Sequence, residues 1–93
     1  MKRTVRVLVE GMVQGVGYRA FVEDEALARG IAGWVRNRRG GQVEAVFSAE
    51  PAMVEAMIAA CRHGPRQARV ERVDISEMPA GEEPAGFRIL PTL

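Results

Sequence analysis

In TVRVLVEGMVQGVGYRAFVEDEALARG, residues 4–30, the spacing of the apolar side chains changes once. Val5, Val7 and Val9 recur at every second position, which predicts a strand over 4–10 with one face turned to a core. Phe21, Val22, Glu25, Ala26 and Arg29 fall at helical spacing, which predicts a helix over 18–29 ended by Gly30. Between the two lie Gly11, Gly15 and Gly17, a density of glycine that marks a tight strand-to-helix connection.

The rest of the chain repeats the pattern. A second apolar run, residues 31–35, is broken by Asn37, Arg38, Arg39, Gly40 and Gly41, a hairpin turn, and Val43, Ala45 and Phe47 alternate on the returning strand. Pro51 suits the first turn of a helix in which Met53, Val54, Met57, Ile58 and Cys61 repeat at three and four, and Gly64 and Pro65 stop it. On the next strand Ala68 and Val70 share one face while Val73 and Ile75 take the other, so a β-bulge near Glu71 and Arg72 is expected. Residues 79–86, polar and rich in Pro and Gly, are expected to form a loop. Phe87 and Ile89 could add a short last strand. The order is that of an α+β, ferredoxin-like βαββαβ sandwich, an antiparallel sheet with two helices on one face. Trp34, Met53 and Met57 are assigned to its core.

A chain of 93 residues is expected to make a single domain over 1–93 and to bury roughly two thirds of its unfolded surface. The one cysteine, Cys61, has no partner for an internal disulfide and lies among apolar residues, which fits a buried thiol in a reducing compartment. The amino-terminal apolar run is too short for a signal peptide, and no stretch approaches the ~20 apolar residues of a membrane span. A cytoplasmic protein with no membrane partner is expected. The net charge is +1, which argues against a protein that coats nucleic acid. One histidine and one cysteine cannot supply a zinc set, and no Ser/His/Asp or Cys/His pairing is indicated, so no metal and no cofactor are expected. His63, beside Gly64, is assigned to a solvated helix end, and Glu23, Asp24 and Glu25 to a solvated helix face.

This fold serves many activities, so the site must decide. Gln14, Gly15, Val16, Gly17 and Tyr18 lead directly into a helix, where consecutive amide N–H groups and the helix dipole form a nest for a phosphoryl group. Arg19 in the first turn is poorly placed against the dipole unless an anion lies between guanidinium and amides. Its planar fork also matches two phosphate oxygens at once. The plainer alternative is a tight glycine turn followed by a solvated arginine. Asn37, near the end of the second strand, can accept a hydrogen bond from water and donate one to an oxygen without titrating. It is equally ordinary at the start of a hairpin turn.

Taken together, these segments resemble the acylphosphatase family. Val9-Glu10-Gly11-Met12-Val13-Gln14-Gly15-Val16-Gly17-Tyr18-Arg19 is similar to the family's G-x-V-Q-G-V-x-[FY]-R signature throughout. Gly33-Trp34-Val35-Arg36-Asn37 is similar to its second signature, with Gly41 and Val43 at the same spacing. Gly64, Pro65, Ala68, Val70 and Val73 resemble the approach to the fourth strand. Ala49 stands where the family pattern usually has glycine, and Gly40 where many relatives carry a polar residue. The resemblance implies the same sandwich fold and hydrolysis of a small-molecule acyl phosphate. It implies that Arg19 and the amides of residues 14–18 hold the phosphate while Asn37 orients the attacking water. A monomer without metal, cofactor or nucleic-acid partner is expected. The alternatives are a non-catalytic phosphate-binding regulatory module of the same fold and an RNA-binding sheet, which the sparse aromatics Trp34, Phe47 and Phe87 do not favour.

Overall fold

The computed structural model describes residues 1–79 and 86–93. Five strands and two helices follow in the order β1 (Arg3–Met12), α1 (Tyr18–Ala28), β2 (Ala32–Asn37), β3 (Val43–Ala49), α2 (Pro51–His63), β4 (Arg69–Met78) and β5 (Phe87–Ile89). The sheet order is β4-β1-β3-β2-β5. The first four strands pair antiparallel, as the hydrophobic alternation implies, while β5 joins the outer edge of β2 in parallel, so the complete sheet is mixed. The loop expected over 79–86 lies, apart from Pro79 and Gly86, outside the described residues.

Val5, Val7 and Val9 of β1 and Val43, Ala45 and Phe47 of β3 are buried in one cluster with Tyr18, Val22 and Ala26 of α1 and Val54, Met57, Ile58 and Cys61 of α2. Both helices therefore cover the same face of the sheet. Gly30 ends α1 as the spacing predicts, with its N–H on the Leu27 carbonyl and that of Ile31 on Ala26. The chain crosses from β2 to β3 through a turn closed by Arg38 N–H on the Gln42 carbonyl at 2.8 Å. The expected bulge is present. Glu10 pairs with Arg72 and Gly11 with Val70, which leaves Glu71 as the extra residue on β4. Val70, Val73 and Ile75 can all then pack against the core.

Two core assignments need correcting. Trp34 is only half buried, on the helix-free face, with the Arg36 guanidinium 4.7 Å from its ring centroid. Its neighbours Gly33 and Val35 take the buried positions, because alternation on β2 allows only one of the two phases inside. Met53 is exposed, since Val54, Met57, Ile58 and Cys61 already complete the buried stripe of α2. His63 is exposed in the last turn of α2, and Gly64 forms the cap.

Candidate active site

Strand β1 runs two residues further than its alternation suggests, so Gly11 and Met12 belong to the sheet and the connection to α1 is only residues 13–17. So short a connection must reverse sharply. It does so at Gly15 (φ 75°) and Gly17 (φ 78°), both in left-handed backbone that costs other residues roughly 1–2 kcal/mol. Gly17 is the N-cap of α1, no side chain caps this end, and the first turn holds no acidic residue. The leading amides of a helix have no partner within it. Here they face an open cleft at the positive end of the helix dipole.

That cleft, about 240 Å³ in volume, is lined by Val13, Gln14, Gly15, Gly17, Tyr18, Arg19, Ala20, Asn37 and Ile89. It unites the two arms of the sequence signature, with Arg19 from α1 on one side and Asn37 from the end of β2 on the other. Arg19 has no hydrogen-bonding or acidic partner among the described residues, which leaves its fork available to a ligand. The Asn37 side-chain oxygen is buried and accepts no hydrogen bond among the described residues. A buried acceptor is rarely left so, because an unmet one costs about 1–3 kcal/mol.

Not every signature residue meets the cleft in the same way. Val16 is absent from its walls, and its side chain packs against the core. The Tyr18 ring is buried, and its hydroxyl donates to the Cys61 carbonyl at 2.7 Å. Burial pushes the phenol well above its usual range, so the ring is structural and only the backbone of Tyr18 is left to serve an anion. The Gln14 side-chain amide is likewise committed, donating to the carbonyls of Arg38 (2.7 Å) and Gln42 (2.8 Å). It ties the loop to the hairpin that follows Asn37.

Asn37 is also aimed from behind the sheet. Its neighbours in the chain, Arg36 and Arg38, both turn to the helix-free face, where they donate to Glu44 at 2.8 and 2.9 Å; Arg6 completes the cluster. With both flanking side chains held on one face, alternation directs the Asn37 side chain to the other, toward the cleft. Glu44 is only 3% exposed. Burial would push its carboxyl up, but the hydrogen bonds from Arg36, Arg38 and Arg6 outweigh that and bring it down to about 2. The edge of β2 is held too, by Leu90 N–H on the Val35 carbonyl (2.9 Å) and Leu93 N–H on the Asn37 carbonyl (3.2 Å).

Sequence reasoning missed Glu44, the Gln14 clamp and three lining residues, Val13, Ala20 and Ile89. The signal for the first is a lone carboxylate among the apolar residues of β3. The Gln14 bonds and the place of Ile89 depend on contacts between segments far apart in the chain, which no local pattern carries. Among the described residues no group of three or more His, Cys, Asp or Glu side chains is placed to hold a metal ion, and no helix is long and apolar enough to cross a membrane.

Known proteins match this chain along most of its length. The acylphosphatase family model matches residues 5–89. An acylphosphatase from Azorhizobium caulinodans is 48% identical over 93 residues, covering all of both chains. The crystal structure of acylphosphatase from Bacillus subtilis superposes with a TM-score of 0.91 at 34% identity, over 97% of this chain and 99% of that one. An acylphosphatase structure from Coxiella burnetii gives 0.90 at 31% identity, over 96% and 93%. The chain belongs to the acylphosphatase family, a family of hydrolases.

Proposed function

We propose that this enzyme hydrolyses the carboxyl–phosphate bond of a small acyl phosphate by direct attack of water on phosphorus, without a metal ion. The phosphoryl oxygens sit on the amides of residues 14–18, at the N-terminus of α1, and are clamped by the Arg19 guanidinium. Asn37 holds the attacking water through its side-chain oxygen. Water adds to phosphorus as the bond from phosphorus to the acyl oxygen breaks. The acyl group departs as a carboxylate, and both water protons end on the inorganic phosphate. A carboxylate is a good leaving group, so positioning and charge stabilisation supply most of the catalysis.

The observation that carries this reading is the buried, unpartnered side-chain oxygen of Asn37, in the same cleft as Arg19 and the glycine loop. An acceptor without a protein partner at that place suits a water that must be oriented. It does nothing for a domain that only stores phosphate.

The test is hydrolysis of benzoyl phosphate in EDTA by the native protein and by Asn37→Ala. Turnover in EDTA is expected, with a fall of about 10²–10³ in kcat for the variant and retained inhibition by inorganic phosphate. If the native protein binds phosphate but turns nothing over, the chain is the non-catalytic binding module instead.

A further inference from the structure

The lining of the cleft is of two kinds. Glycine amides, Arg19 and Asn37 make one of them, and every one of these groups has a use for a phosphoryl group and a water. The other is apolar, and its two accessible side chains are Ala20, on the first turn of α1, and Ile89, on β5.

Ile89 stands out because it is 37% exposed although the segment around it is firmly held. Phe87, two residues earlier and therefore on the same face, stacks on Phe47 with ring centroids 5.9 Å apart. Leu90, the next residue, donates its N–H to Val35. The parallel register sets Ile89 beside Val35, two residues before Asn37. A β-branched side chain that is 37% exposed is thus fixed in the lining of the cleft that holds Asn37. Arg19 is the only charged residue lining the cleft among the described residues. Once it holds phosphate, no second cation in the lining is left to meet a charge on the acyl group.

We propose that Ile89, with Ala20 of the same lining, forms the acyl subsite and selects uncharged acyl groups with a substantial apolar surface, aromatic or branched, over acetyl. This rests on the acyl phosphate reading of the cleft. Ile89 is a specificity-determining residue, in contact with the leaving acyl group and not with the phosphorus. Contacts of a methylene or two in a hydrophobic pocket discriminate by about 10–200-fold. A side chain as open as Ile89 belongs at the lower end of that range.

The experiment compares kcat/KM for benzoyl phosphate and acetyl phosphate in the native protein, Ile89→Ala and Ile89→Leu, with inhibition by inorganic phosphate measured in each. The native protein should favour benzoyl phosphate by about tenfold. Ile89→Ala should move that ratio toward one while phosphate inhibition holds, and Ile89→Leu should restore most of it. An unchanged ratio in Ile89→Ala would overturn the proposal, and so would an equal loss on both substrates, which marks a merely structural role. Absence of turnover by the native protein on either substrate would remove the underlying reading, and the proposal with it. That failure shows in the native protein alone, before any variant is compared.

Discussion

The side-chain amide of Gln14 lies 2.7 Å from the carbonyl oxygen of Arg38, one residue past Asn37, and so joins the glycine loop directly to the hairpin. A second bond to the Gln42 carbonyl makes the link a bridge across the mouth of the turn. The two sides of the cleft come from segments far apart in the chain, and this side chain ties them together.

Replacing Gln14 by Ala removes both bonds. Two neutral hydrogen bonds are worth about 1–3 kcal/mol together. That loss should fall chiefly on kcat, because Asn37 is no longer held in register with the bound phosphoryl group. Steady-state kinetics with benzoyl phosphate checks this. A rise in KM with kcat unchanged would mean that Gln14 serves binding alone.

Arg19 should matter in a different way. In the proposed mechanism Arg19 clamps the phosphoryl group, so in Arg19→Ala inhibition by inorganic phosphate should weaken along with turnover, the latter by about 10²–10³. Arg19→Lys keeps the charge but not the paired donors and should recover only part of either. Full recovery by lysine would show that charge alone suffices.

Glu44 makes acid stability predictable. Its folded carboxyl titrates at about 2, below the ~4.3 of an unfolded glutamate. Between those values the unfolded chain binds more protons than the folded one. The stability Glu44 confers is therefore complete above about pH 4.3 and lost as the pH falls toward 2. The whole effect is on the order of 3 kcal/mol. Urea unfolding from about pH 7 down to about pH 3 should show the decline, and in Glu44→Gln the slope should flatten from a lower starting stability.

Much of the molecule is legible in the chain. The glycine loop, Arg19 and Asn37 occupy contiguous segments whose residue types carry their chemistry locally, and the phase change between Val70 and Val73 gives away the bulge at Glu71. What stays hidden depends on distant partners. Hydrophobicity alone turns Trp34 inward, but the pleat leaves its phase outside, and Arg36 covers its ring. Glu44 looks like a misplaced charge on β3 until Arg6, Arg36 and Arg38 are seen around it. Ile89 enters the cleft only because a three-residue strand pairs in parallel with β2, a pairing that no periodicity announces.

Cys61 reports on the integrity of the fold. It is buried, and burial pushes its thiol up to about 12. A thiol reagent at about pH 8 should leave the native protein unmodified over hours and react at once in denaturant, because the thiolate is the nucleophile. Rapid labelling of the native protein would show that the interface between α2 and α1 opens far more readily than its packing implies.

The central claim is that water attacks phosphorus and not the acyl carbon, and hydrolysis of benzoyl phosphate in ¹⁸O-water tests it most directly. Attack on phosphorus places the label in the inorganic phosphate and leaves the benzoate unlabelled. Label in the benzoate carboxylate would mean that the water meets the carbonyl carbon, and that neither Arg19 nor Asn37 plays the part assigned to it.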